Sequence, residues 1–467
     1  MKDNKTNKYN SHYAIFIAIT VAALGAVYGY DTGNISGALP YLKQEMGLST
    51  RMAELVSSAV VAGSILGAMF GGKLSNKIGR KNTMIFVSAA FVILAILSAF
   101  PPNVWFLIVV RFILGLSIGV TIVVAPVFIA EISPYKIRGA MLVTFQIATT
   151  IGISLASFIN LYFSQTGNWR AMLGVSAIIA FVLVIAILRF PDTPTWYIMK
   201  GHRERGIKTL QKLEAPEKVQ SELAKIDQEV HQNESGKFSE LFKTKYIKGT
   251  IFILGLGIFV QITGINAIVY YGPIIFQKVG FASFSNGILI TGITQLIALI
   301  AEVTSSLIID KWGRRKSLLM GISFMIIANI VLALLFLIGF ISSWMMYLSV
   351  IIIFLFRVGY SFGFGSLVWV YASETLPSRL RSIGSSLMLT ANLVANLIVS
   401  MFFLTMFENF GGQVIFLIFG ILAIISWIFV FKLAPETNGR TFEEIQAYWN
   451  NGGKWDEDIA NEKVESK

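Results

Sequence analysis

The stretch GYDTGNISG, Gly29 to Gly37, sets a carboxylate, Asp31, inside an apolar run that begins near Tyr13 and continues past Ala38. An unpaired ion in hydrocarbon costs several kcal/mol or more, so a charge placed there is read as a functional group. The chemistry open to it is proton exchange: loss of hydration favours the neutral acid, and an approaching cation favours the carboxylate. Glu302 and Arg357 also stand in long apolar runs, and they are read as an ion pair because neither could face lipid. Other charges recur as motifs. NKIGRK at 76–81 is echoed by DKWGRR at 310–315, an offset of 234. In EISPYKIR and ETLPSRLR, Glu131, Pro134 and Arg138 match Glu374, Pro377 and Arg381 at an offset of 243.

Other chemistries find little support. The chain has no cysteine, which removes disulfides, thiolate metal sites and cysteine nucleophiles. His12, His202 and His231 all lie outside the apolar runs and read as solvated surface residues, so no metal site and no cofactor is expected. GYSFG at 359–363 fits a nucleophile pattern but lacks a strand-turn-helix context and a histidine partner, so it reads as helix packing. GSILGAMFG at 63–71 reads the same way. A phosphate-binding G-x-x-x-x-G-K-[ST] loop is absent, which argues against ATP-driven transport.

The elements that carry these residues are membrane spans. Of 467 residues 55% are hydrophobic and 14% charged, and the mean hydropathy is +0.69. Soluble domains carry about 25% charged residues, so the composition excludes an ordinary soluble protein. Apolar stretches near 14–39, 53–72, 83–100, 104–130, 140–163 and 169–190 give six spans. Six more lie near 248–276, 285–309, 317–340, 344–372, 383–407 and 411–433. Each is long enough to cross roughly 30 Å of hydrocarbon at about 1.5 Å per residue. The basic amino terminus precedes a full-length span with no small-residue cleavage site, which reads as a retained first helix.

The net charge of +12 is gathered beside these spans. The turn after span 2 carries Lys73, Lys77, Arg80 and Lys81, and the turn after span 8 carries Lys311, Arg314, Arg315 and Lys316. The opposite connections FPPNVW and GFISSW carry no basic residue. This pattern follows the positive-inside rule, places both termini in the cytoplasm, and argues against a nucleic-acid partner. Leu210, Leu213, Val219, Leu223 and Ile226 recur at helical spacing in a polar segment, which predicts amphipathic helices between the halves. The domain organisation expected is a first six-helix bundle at 1–190, a cytoplasmic helical linker at 191–247, a second bundle at 248–433 and a tail at 434–467. Duplicated halves with a substrate site between them near the midplane are a transporter architecture.

At this level the chain resembles the sugar porter family of the major facilitator superfamily. The resemblance runs over nearly the whole length, through GYDTGNISG, GGKLSNKIGRK, RFILGLSIG, PVFIAEISPYKIRG, PDTPTW, QITGINAIVYYGP, DKWGRRK, WVYASETLPSRLRS and PETNGRTFEEI. It implies an all-α integral membrane protein with twelve transmembrane helices in two pseudo-symmetric six-helix bundles, importing a monosaccharide by proton symport through alternating access. It further implies a multi-pass monomer in the plasma membrane whose partners are sugar, protons and lipid. A facilitator, a carrier of polyols or other small polar solutes, and a sugar sensor are the alternatives; enzyme activity is not expected.

The resemblance also assigns residues. Asp31 is implied as the proton-binding carboxylate with Arg111 on span 4 nearby. Gln146, Gln261, Asn266, Trp369 and Asn392 are implied as sugar ligands, supplying amides for hydroxyls and a flat ring for the apolar face. Tyr270 and Tyr271 resemble extracellular gate aromatics. Arg80, Glu131, Arg138, Asp310, Arg314, Glu374 and Arg381 are implied as a gate network at the cytoplasmic helix ends. The chain departs from the family pattern at Asn76, Ile153, Thr195, Val260, Ser366 and Leu393, and the loss of donors for apolar walls argues for a site unlike a glucose-type pocket.

Overall fold

Glycines at every fourth position, Gly25, Gly29, Gly33 and Gly37, give the first span one face without side chains, and that face decides its neighbour. A Cβ on Gly29 would lie 1.9 Å from the Thr149 carbonyl oxygen, so the first span backs directly onto the fifth. GSILGAMFG does the same for spans 2 and 4: Gly63 and Gly67 sit against the carbonyls of Phe112 and Leu116, while Gly115 and Gly119 return the contact. Small residues let backbones approach where lipid offers no hydrophobic drive to association.

The computed structural model describes residues 3–134, 137–214, 216–231, 237–451 and 453–455. Those residues are predominantly helical, with no strand among them. Span 1 is the helix pair Asp3–Ala22 and Leu24–Glu45; spans 2 to 6 are Thr50–Ile78, Arg80–Ala99, Val104–Ile132, Arg138–Ser164 and Trp169–Leu188. Short helices Pro194–Met199, Arg203–Leu213 and Pro216–His231 follow; Leu210, Val219, Leu223 and Ile226 form the core between them with Ile198, whereas Leu213 packs into the core of spans 1, 4 and 6. Span 7 is broken into Ile247–Ile262 and Ile265–Val279; spans 8 and 9 are Phe284–Trp312 and Arg314–Ile338. Span 10 is Ser343–Tyr360, a π-helical turn at Ser361–Gly365, and Ser366–Glu374. Spans 11 and 12 lie within Ser378–Leu433 as two helices that meet at Gly411, whose φ of 79° leaves helical space. A last helix runs Phe442–Asn450.

Eleven of the described helices are long and apolar enough to cross a membrane, and the last, Leu380–Leu433, supplies two crossings. The outward surface fits lipid: Leu307 of span 8 and Leu337 of span 9 are 71% and 68% exposed. The chain divides into two compact units, one of residues 1–233 with 272–274 and 283–295, the other of 234–271, 275–282 and 296–467. Within the first unit, span 1 packs on span 5, span 2 on span 4 and span 3 on span 6. The second unit repeats the scheme: Gly257 of span 7 meets the Met388 carbonyl of span 11, Gly420 of span 12 meets Asn329 of span 9, and Ser361 of span 10 bonds to Ala298 of span 8. GYSFG, read as packing, lies here: Gly359 and Gly363 press on Gly321 of span 9.

Candidate functional site

Asp31 lies two residues from both Gly29 and Gly33, about 200° round the helix from the glycine face, so it points away from span 5. There it meets Arg111. The nearest approach is Nη2 to Oδ2 at 3.7 Å, and the two side chains are 3% and 2% exposed. Arg111 is held from the other side, its Nε donating to the Val56 carbonyl of span 2 at 3.0 Å. Asp31 Oδ2 and Arg111 Nη1 make no hydrogen bond, so the pair is loose.

The pair at the turn after span 2 is different. Arg80 forks onto Glu131, Nη2 to Oε1 at 3.0 Å and Nε to Oε2 at 3.2 Å, and its Nη1 donates to Asn76 Oδ1. The Thr193 hydroxyl also donates to Glu131 Oε2. Two parallel charge-assisted bonds fix an arginine far more firmly than one long contact. In the second half Arg314 Nη2 lies 3.2 Å from Glu374 Oε1. Arg138 is half-buried and acts electrostatically on Glu214 of the linker, as Glu374 does on Arg381. The Asp310 side chain, and that of His231, lie outside the described residues; His12 and His202 are exposed.

Each network contains a carboxylate that the sequence reading had not singled out. Asp192 Oδ1 accepts the backbone N–H groups of Arg80, Lys81 and Thr193 at 3.1, 3.2 and 2.9 Å, closing the start of span 3. Glu436 does the same for span 9, accepting from the backbone of Arg314 and Arg315 at 2.9 and 3.1 Å. The signal was present: Pro191-Asp192-Thr193 recurs as Pro435-Glu436-Thr437, offset by 244. Burial pushes the Asp192 carboxyl above the ordinary aspartate range, against the three amide bonds and the Arg80 charge. Replacing Asp192 with Ala strands three amides and is expected to cost about 2–3 kcal/mol. Asp192→Asn, which keeps an acceptor, should cost about half of that on the same scale. Thermal unfolding in detergent measures both; equal stability of all three proteins would contradict the assignment.

The amides meet in the second unit. Five residues apart in an unbroken helix, Gln261 and Asn266 would point in different directions. Gly264, with φ of 101°, breaks span 7 between them against the Phe419 ring, and the two side chains converge. Asn266 Nδ2 donates to Gln261 Oε1 at 2.6 Å, and Gln261 Nε2 donates to Asn392 Oδ1 of span 11 at 3.1 Å. Three candidate sugar ligands thus form one chain of amides, with Asn266 and Asn392 half-buried at its ends.

Trp369, 42% exposed, makes no hydrogen bond or ring contact to that chain. Gln146 belongs to the first unit and is half-buried, its backbone carbonyl bonded by the Thr150 hydroxyl. Tyr271 is fully buried, donating to the Ser400 carbonyl at 2.6 Å and stacking on Phe403. Tyr270 is also buried and accepts from Asn396 Nδ2 at 3.4 Å. Glu302 and Arg357 are both buried in the second unit.

The family profile described as Sugar (and other) transporter matches residues 17–449. The chain belongs to that family. It is a multi-pass membrane transporter of the major facilitator fold, and not an enzyme. The galactose-proton symporter of Escherichia coli K12 is 33% identical over 461 residues, 97% of each chain. The arabinose-proton symporter of the same organism is 33% identical over 438 residues, 92% of each. Among solved structures, the inward-open xylose transporter XylE from E. coli matches with a TM-score of 0.80 at 24% identity, over 93% of this chain and all of that one, a likeness of fold.

Proposed function

We propose that this family member imports a monosaccharide by proton symport. The observation that carries the reading is the loose Asp31–Arg111 pair, a buried carboxylate 3.7 Å from its cation and with one oxygen unbonded. A permanent structural pair buried at this depth would be expected to be forked, with both carboxylate oxygens bonded. A loose pair gives a proton a place to compete with the arginine, and a cycle that changes the Asp31–Arg111 separation ties protonation to conformation. The galactose-proton and arabinose-proton symporters, alike over more than nine-tenths of their lengths, support the same reading.

In this reading the amide chain Asn266–Gln261–Asn392, with Gln146 and Trp369, binds the sugar. Tyr270 and Tyr271 serve the outer gate, Tyr271 as its fixed wall. Arg80, Glu131, Arg138, Asp310, Arg314, Glu374 and Arg381 serve the inner gate. Residues 1–190 and 248–433 are the rocking bundles, joined by the 191–247 linker, with a 434–467 tail. The chain works as a monomer in the plasma membrane, both termini cytoplasmic. A screen of labelled monosaccharides and polyols in vesicles, with and without an inward proton gradient, tests this. At least one monosaccharide should accumulate only with the gradient; equal uptake of every solute in both conditions would overturn the reading.

A further inference from the structure

Glu302 on span 8 and Arg357 on span 10 are 7% and 5% exposed, both inside the second unit. Bilayer-depth charges are held only where they find partners. Tyr360, whose ring lies 5.4 Å from the guanidinium carbon, and Glu302 both act electrostatically on Arg357. Between the two charges, spans 8 and 10 are tied directly: the Ser361 hydroxyl donates to the Ala298 carbonyl at 3.3 Å. Ala298 is one turn before Glu302, and Ser361 one turn after Arg357.

Ser361 also opens the π-helical turn Ser361–Gly365, and the helix that follows, Ser366–Glu374, carries Trp369. A π turn is a local irregularity that needs outside support and marks functional positions in helices. On its other side the turn packs backbone to backbone, Gly321 of span 9 against Gly359 and Gly363. The position of the arginine adds to this. Arg111 precedes Glu131 by twenty residues on span 4, and Arg357 precedes Glu374 by seventeen on the matching span 10, a difference of one helical turn.

We propose that Glu302 and Arg357 form an intramembrane charge clamp across spans 8 and 10 that holds the π turn and so sets the position of Trp369. They are positioning residues: neither touches the sugar, and neither exchanges the coupled proton. The consequence for transport rests on the reading of Trp369 as a sugar platform, whereas the clamp itself does not. Removing one partner leaves a buried ion, so Glu302→Gln or Arg357→Gln alone should lower the amount of folded protein. The doubly neutral E302Q/R357Q and the exchanged E302R/R357E avoid that penalty and carry the test.

Because the chain has no cysteine, Val370→Cys is a clean reporter beside Trp369, read by the rate of maleimide labelling without sugar. In the doubly neutral protein labelling should change several-fold, KM for the transported sugar should rise about tenfold with kcat within about threefold, and the pH profile of uptake should not move. The exchanged pair should restore both labelling and KM. Altered labelling with unchanged KM would uphold the clamp and overturn Trp369 as the sugar platform. Labelling and KM equal to the parent in the doubly neutral protein, a displaced pH profile, or loss of folded protein from both double variants would overturn the clamp.

Discussion

Asparagine in place of Asp31 abolishes uphill accumulation of sugar and leaves counterflow exchange within a few-fold of the parent protein. The expected loss is large because a proton falling through ~100 mV supplies ~2.3 kcal/mol, enough for roughly fifty-fold accumulation when coupling is tight. Asparagine is close to aspartic acid in shape, so the contacts of span 1 with span 5, made by Gly25, Gly29 and Gly33, are untouched. What changes is charge: Arg111 keeps its bond to the Val56 carbonyl but faces a permanently neutral group. Without a proton to take up and release, the carrier moves sugar only down its own gradient. Accumulation by Asp31→Asn equal to that of the parent would remove Asp31 from the coupling.

Leucine in place of Gln261 raises KM for the transported sugar by two to three orders of magnitude while the protein remains folded. Gln261 is the middle of the amide chain and makes both of its bonds, to Asn266 and to Asn392. Losing it removes one ligand and releases two others, each worth about 1–2 kcal/mol when left unpaired in a partly buried site. Sites built to bond hydroxyl groups pay more for such losses than apolar pockets do for a lost methylene. Asn392→Leu, at the end of the chain, should cost less, because Gln261 keeps its bond to Asn266. Radiolabelled sugar uptake over a range of concentrations measures both; equal KM values for Gln261→Leu and the parent would contradict the assignment.

The twelve spans could be read from hydropathy because each must satisfy its own backbone in lipid, which leaves long apolar helices and short polar turns. The duplicated motifs singled out Arg80, Glu131, Arg314 and Glu374, but that Arg80 pairs with Glu131 and Arg314 with Glu374 is read from the structure alone. Other features depend on backbone shape that hydropathy does not encode. The break at Gly264 brings Gln261 and Asn266 together, and nothing in the alternation of apolar and polar residues marks that glycine apart from the Gly-rich stretches around it. The π turn after Tyr360 is likewise invisible to a pattern of 3.6 residues per turn. Asp192 and Glu436 were hidden because their partners are main-chain amides, which every sequence position offers alike.

Chemical type was easier to read than geometry. A carboxylate among apolar residues announced Asp31, but only the 3.7 Å separation and the unbonded oxygen distinguish it from the forked pair at Arg80. Tyr270 and Tyr271 were matched by type as gate aromatics, yet Tyr271 is bonded to Ser400 and stacked on Phe403, which ties it to span 11.

The most direct test of proton-coupled import is the movement of protons driven by sugar alone. Purified protein in vesicles holding a pH-sensitive dye, with no gradient imposed, should acidify the lumen when the transported sugar is added outside, and Asp31→Asn should abolish that signal while sugar entry continues. Sugar entry without any change in lumen pH would contradict the account.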